Sequence, residues 1–134
     1  MKLSPAAELA LRGTFVLAGE YGKGPVTLDN ICARRNLPKQ YLVKLFASLA
    51  KAGLVSPVRG KHGGYMLLRE PSQVSVLDVV EAVEGPIQLN YCMNNPPQCD
   101  ESSCPMRPVW KELQDGIRNK LTQMTLADCI SIRV

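Results

Sequence analysis

A basic, glycine-rich hexapeptide at residues 59–64, RGKHGG, is the feature that most limits the fold of this chain. It separates two short segments of β-forming residues, 54–58 and 65–69, and this arrangement predicts a hairpin. Three helical patterns precede it, over residues 6–19, 28–35 and 38–52. Three helices followed by a hairpin is the element order of a winged helix-turn-helix. We therefore predict a mainly α fold with a small two-stranded β wing.

The boundaries of these helices follow from capping residues. Ser4 precedes the first helical segment and Thr27 the second, and both residue types accept hydrogen bonds from the free amides of a first turn. Gly53 is suited to end the third segment in a left-handed conformation. That third segment carries four large apolar residues at helical spacing: Leu42, Leu45, Phe46 and Leu49.

The charge of the chain is divided unevenly. Residues 1–70 hold eleven basic and four acidic side chains, whereas residues 71–134 hold five and eight. A basic half of this kind is typical of a protein that binds a polyanion, so we expect double-stranded DNA as a partner. A solvated basic face is the alternative that charge alone leaves open.

The candidate DNA contacts lie at the start of the second helix, on the outer face of the third and at the wing tip: Thr27, Lys39, Gln40, Tyr41, Lys44, Arg59, Gly60, Lys61 and His62. Among them, Gln40 and Lys44 are suited to base edges in the major groove, and Lys39 to phosphates. Arg59 on a slim hairpin is suited to a narrow minor groove.

Beyond the hairpin the sequence predicts two more helices. Ser75 can cap a helix that ends at Gly85, and residues 107–124 form a long helix with apolar residues every three or four positions. Between them lies a polar loop with Cys92, Cys99 and Cys104 in the spacing C-x6-C-x4-C. This loop has no apolar periodicity, so we expect disulfides or a metal centre to order it.

We expect a cytoplasmic location and no membrane partner. The sequence has no apolar run long enough to span a bilayer, and its first residues lack the apolar core of a signal peptide. Persistent disulfides are uncommon in the cytoplasm and the cysteine count of five is odd, so metal or redox chemistry is favoured. Cys32 and Cys129 are interpreted as small apolar packing residues.

The chain resembles the IscR/NsrR-type iron–sulfur winged-helix transcription regulators of the Rrf family. The resemblance is carried by residues 37–66, the sequence SVLDVVEAVEG at 75–85, the three-cysteine loop and Pro-Val-Trp at 108–110, and it covers nearly the whole chain. It implies a homodimer that binds a palindromic operator. Residues 1–85 would form the winged helix-turn-helix domain, and residues 86–134 the sensor loop and the long dimerisation helix.

The resemblance also implies a cofactor, an iron–sulfur cluster held by Cys92, Cys99 and Cys104, with [2Fe–2S] favoured over [4Fe–4S]. The cluster would control the affinity or specificity for DNA in response to iron–sulfur status, oxidative stress or nitric oxide.

Two departures from the family pattern concern the cluster ligands. The usual gaps of five residues between the cysteines are six and four here, and the usual histidine after the last cysteine is Arg107, which stays protonated and cannot be a ligand. Some relatives use an acidic residue at the start of the first helix of the other subunit. Glu8 occupies that position, although a favourable charge in a first helical turn is the alternative explanation.

Other functions stay open at this point. A regulator of the same fold could bind zinc or use its thiols directly for redox sensing. A small cluster-carrier or electron-transfer protein is a further alternative, although it would need no basic wing. We predict no enzyme activity, no catalytic residue and no small-molecule substrate, because no catalytic constellation appears and the single histidine lies in the wing.

Overall fold

The computed structural model describes residues 3–132, and over that range it contains six α-helices and one two-stranded sheet. In chain order the elements are α1 (Pro5–Gly19), α2 (Leu28–Arg35), α3 (Lys39–Lys51), β1 (Val55–Val58), β2 (Gly64–Leu67), α4 (Val76–Glu84), α5 (Arg107–Gln123) and α6 (Leu126–Ser131). Short 3₁₀ turns lie at Pro71–Gln73 and Tyr91–Met93. The predicted fold class, mainly α with a two-stranded wing, is confirmed.

Side-chain caps fix the starts of four helices, α1, α2, α4 and α6. Ser4 before α1 and Thr27 before α2 each accept a hydrogen bond from an amide of the first turn, as the sequence predicted. Ser75 and Thr125 form reciprocal capping boxes with the aspartate three residues further on. Four of the six described helices therefore begin at a side-chain cap, whereas α3 and α5 begin without one.

Helices α2 and α3 form a helix-turn-helix. Asn36 takes the left-handed conformation at φ 52°, and the amide of Leu37 donates to the carbonyl oxygen of Cys32 at 3.0 Å. The four apolar residues predicted for the inner face of α3 are all buried, and Phe46 and Leu49 have no exposed surface. The outer face of α3 is therefore free to meet a partner.

The wing is shorter than the sequence predicted. Strand β1 begins at Val55 and pairs antiparallel with β2, which runs only from Gly64 to Leu67. The second strand was predicted to continue to Arg69. That boundary is wrong because the chain leaves the sheet to enter the 3₁₀ turn that begins at Pro71.

Tyr65 joins the wing to the helix-turn-helix. Its backbone amide and carbonyl exchange two hydrogen bonds of 2.8 Å with Val26, directly before α2. Its ring meets the ring of Phe46 on α3 edge to face, with centroids 4.9 Å apart. The wing therefore packs directly against α3, the candidate recognition helix.

The core lies between α1, α3 and α4, and α6 closes it. Leu126 of α6 is fully buried, and backbone hydrogen bonds tie Val76 to Met124 and Leu126 to Val74. Helix α5 differs, because none of its residues is fully buried. The proposed division of the chain at residue 85 stays a prediction. Across residues 3–132, no helix combines the length and apolar character that crossing a bilayer requires.

Replacing Gly64 by alanine tests the docking of the wing. Gly64 has φ +152°, and a Cβ atom there would overlap the carbonyl oxygen of Val26. We expect Gly64→Ala to lower the free energy of unfolding by about 1–3 kcal/mol, measured by chemical denaturation. Gly19→Ala is the control, because Gly19 has open space around it in a helix. Equal stability of the two variants would contradict the close contact.

Candidate DNA interface and cysteine site

The nine candidate DNA contacts are all exposed. Four of them lie on the first two turns of α3, four lie at the turn between β1 and β2, and Thr27 lies at the start of α2. Gly60 adopts φ +110° in the wing turn, a conformation that favours glycine. The outer face of α3 and the wing tip are accessible, as a winged-helix interface requires, and the individual contacts stay predictions.

An ion pair that the sequence analysis missed modifies this interface. Nζ of Lys39 lies 2.6 Å from Oδ1 of Asp29, which belongs to the first turn of α2. The hydrogen bond to Asp29 raises the pKa of Lys39. Lys39 must therefore break or share its ion pair with Asp29 when it binds a phosphate.

The three loop cysteines line one pocket. Its volume is about 200 Å³, and its wall is formed by the three thiols together with neighbouring polar and aromatic residues: Asn90, Tyr91, Cys92, Gln98, Cys99, Cys104 and Trp110. All five cysteines of the chain are free thiols, and the three in this pocket are half-buried. The fold thus brings together three thiols that are up to twelve positions apart in sequence.

The loop has more order of its own than its sequence suggested. The carbonyl oxygen of Tyr91 accepts hydrogen bonds from the amides of Asn94 and Gln98, at 3.3 and 3.0 Å. The 3₁₀ turn packs against α5, and the amide of Leu89 donates to Oε1 of Gln114 at 2.9 Å. Backbone hydrogen bonds and α5 therefore hold part of this loop. The expected disulfides are absent because its cysteines are free thiols, and a metal centre stays a prediction.

The donor chemistry of the pocket fits an iron–sulfur cluster, but its ligand geometry is not assembled. Within residues 3–132, no three His, Cys, Asp or Glu side chains stand close enough together to hold one metal ion. Nε of Arg107, which follows the loop, is buried without a hydrogen-bond acceptor among the described residues. Three thiols that line one pocket are the donor type that a sulfur-ligated group takes.

The other two cysteines lie outside this pocket. Cys32 and Cys129 both pack against the hydrophobic core. Partial burial raises the pKa of both thiols, which disfavours the thiolate form. This environment agrees with their interpretation as packing residues.

Glu8 does not line the cysteine pocket of its own chain. It is exposed on α1 and forms an ion pair with Arg12, one helical turn further on. An exposed pair of this kind is weak and can exchange partners readily. A role for Glu8 at the pocket of a second subunit stays a prediction.

Comparison with known proteins agrees with this architecture. CymR of Bacillus subtilis is 34% identical over 132 residues, covering 98% of this chain and 91% of CymR. Its structure, described as that of the global cysteine regulator, has a TM-score of 0.86 at 32% identity and covers 100% of this chain and 99% of CymR.

IscR proteins are similar as well. IscR of Escherichia coli O1:K1 is 30% identical over 131 residues, covering 98% of this chain and 81% of IscR. The structure of T. potens IscR has a TM-score of 0.79 at 35% identity and covers 97% of this chain and 86% of IscR.

The fold and the exposed recognition helix define a winged helix-turn-helix DNA-binding protein. The Rrf2 family model, described as an iron-dependent transcriptional regulator, matches residues 3–131. The chain belongs to the Rrf2 family, and it is a transcription regulator that binds DNA. Its relatives are regulators rather than enzymes.

Replacing Asp29 by asparagine tests the ion pair on the recognition helix. The change releases Lys39 and removes one negative charge, so we expect tighter binding to every DNA sequence and a salt dependence steeper by about one unit. Fluorescence anisotropy of a labelled duplex over a salt series measures both quantities. Asp115→Asn, which breaks a similar exposed pair with Lys111 on α5, is the matched control. Equal effects of the two changes would contradict a local role for Asp29.

Proposed function

We propose that this regulator is a homodimer whose affinity for its operator is controlled by an iron–sulfur cluster, [2Fe–2S] in preference to [4Fe–4S]. The observation that carries the proposal is the pocket lined by Cys92, Cys99 and Cys104. Free thiols gathered on a loop in a family of iron-dependent regulators are the donor set that such a cluster takes.

The residues of the pocket have separable tasks. The three thiolates would bind iron, and half-buried Trp110 forms part of the pocket wall together with the more exposed Tyr91. Arg107, the first residue of α5, adds one positive charge at the end of the cysteine loop. When bound, the cluster supplies a centre whose integrity responds to iron supply, oxidants or nitric oxide.

The homodimer is supported by the uncovered face of α5. Val109 and Leu113 are 42% and 50% exposed, and they line a shallow groove with Gly116 and Ile117. These apolar residues recur at three- and four-residue spacing, and no side chain fills the space at Gly116. A second copy of α5 would cover this face. Two recognition helices would then meet a palindromic operator.

A second candidate function is a regulator of the same fold that uses its thiols without a cluster, by redox change or by binding zinc. Two observations favour it. The similar protein CymR is described as a global cysteine regulator, and the three thiols are not positioned as a ligand set in the described residues. Iron and sulfide content distinguishes the two candidates.

Alanine replacements of the cysteines test the cluster. We expect Cys92→Ala, Cys99→Ala or Cys104→Ala to abolish or greatly reduce bound iron and acid-labile sulfide after anaerobic reconstitution, because each removes one thiolate ligand. Cys32→Ala and Cys129→Ala are the matched controls and should bind iron like the wild type. If the wild-type protein retains neither iron nor sulfide, the cluster proposal is wrong, and a regulator that binds zinc or uses free thiols remains.

Replacing Glu8 by alanine tests the fourth ligand. If the carboxylate of the partner subunit completes the cluster, Glu8→Ala changes the visible absorption spectrum or accelerates cluster loss in air. Sedimentation equilibrium, run in parallel, should give the mass of a dimer for both proteins. Arg12→Ala is the control, because it removes the surface partner of Glu8 and spares the carboxylate. An unchanged spectrum and decay rate in Glu8→Ala would remove Glu8 as a ligand.

A further inference from the structure

Glu81, on α4, accepts two hydrogen bonds on a single carboxylate oxygen. Its Oε2 lies 2.7 Å from Nη1 of Arg118 and 3.1 Å from the amide nitrogen of Ile87. The side chains of Glu81 and Arg118 are 24% and 34% exposed, and this ion pair is the least exposed one in the described range 3–132. Reduced access of water strengthens such a pair relative to the surface pairs of the chain.

The two donors come from the two sides of the cysteine loop. Ile87 follows α4 and leads into the loop, whereas Arg118 lies on α5, the helix into which the loop runs. A second link, from the amide of Leu89 to Gln114 on α5, joins the same two sides without involving Glu81. A movement of the loop that displaces its entry relative to α5 must therefore change the bonds at Glu81.

Helix α4 continues this connection to the DNA-binding surface. Val79 and Val80, directly before Glu81, are fully buried, and α4 packs against both α1 and α3. The buried residues of α3 lie on a different face from its exposed candidate DNA contacts. A displacement of Glu81 therefore moves α4, which packs against the recognition helix α3.

We propose that Glu81 is a positioning residue that transmits the state of the cysteine pocket to the recognition helix, through its shared hydrogen bonds to Ile87 and Arg118. The inference rests on the proposed function, which supplies two states of the pocket. The two donors belong to separate segments, so a displacement of Ile87 relative to Arg118 stretches at least one of the two bonds unless Glu81 and α4 move with it. Each pocket state then favours a different position of α4.

The test uses Trp110 as an internal reporter. It is the single tryptophan of the chain and lines the cysteine pocket, so its fluorescence follows the pocket directly. The full-length wild type, Glu81→Ala, Glu81→Gln and Arg118→Gln are compared as metal-free reduced protein and after reconstitution with iron and sulfide. For each state, Trp110 fluorescence and the Kd for one operator duplex are measured at fixed salt.

We expect the wild-type Kd to differ between the two states by a factor in the usual range of about 5–150. Glu81→Ala should bring this ratio close to one while the Trp110 response stays intact, because the pocket still changes but α4 no longer follows it. Glu81→Gln keeps an acceptor for Ile87 and should retain part of the ratio. In the metal-free protein, Glu81→Ala should also speed hydrogen exchange of the Ile87 amide.

The outcomes separate this inference from the proposed function. A wild-type ratio that persists unchanged in Glu81→Ala and Arg118→Gln overturns the role of Glu81 and leaves the cluster-controlled regulator in place. A wild type with equal Kd values in both states overturns both. Lys111→Gln is the matched control on α5, since it removes an exposed cation that is not bonded to Glu81 or Arg118, and it should keep the full ratio. Thermal unfolding of each variant confirms that the compared proteins are folded.

Discussion

The burial of α4 against α1 and α3 is the interaction on which the rest of this structure depends. Val79 and Val80 lose all their exposed surface there, and a fully buried valine typically contributes about 1.5–3 kcal/mol of hydrophobic stabilisation. The same helix sets the position of the recognition helix on one side and begins the cysteine loop at its end. The start of the cysteine loop is therefore coupled to α4, the helix that packs against α3.

Stability is distributed unevenly around that helix. The helix-turn-helix and wing are fixed by fully buried residues such as Phe46 and by the two backbone bonds between Val26 and Tyr65. The cysteine loop is held by fewer contacts, and its three thiols are only half-buried. Segments with few buried contacts open at low free-energy cost. The loop that we propose as the sensor is therefore more loosely packed than the helix-turn-helix and wing.

The sequence predicted those features that depend on neighbouring residues. Caps such as Ser75 and the apolar spacing of α3 act within one or two turns, so the helices were located to within a residue or so. The end of β2 was missed because it depends on how the chain turns toward Pro71. The sequence was consistent with one site for Cys92, Cys99 and Cys104. It did not show that α5 contributes Trp110 to the same pocket, because that contact depends on tertiary packing.

The two ion pairs that join separate helices could not be predicted from the sequence, because they depend on distances that the fold sets. Glu81 is one of several acids on an amphipathic helix, and its partner Arg118 is 37 residues away. The pairing of Lys39 with Asp29 likewise joins two helices across a turn. Residue type gives the charge of such groups, but only the fold gives their distance.

The pair on the recognition helix bears on how the protein selects its site. Non-specific affinity for DNA grows with each phosphate that a basic side chain neutralises, whereas selection depends on the ratio of specific to non-specific binding. By holding Lys39 beside a carboxylate, the fold lowers a contribution that every DNA sequence would share. The exposed Gln40 and Lys44 on the same helix are not paired in this way in the described residues, and they remain available to base edges. Because the Lys39–Asp29 pair is exposed, its contribution is small, and it shifts the balance between specific and non-specific binding only slightly toward discrimination.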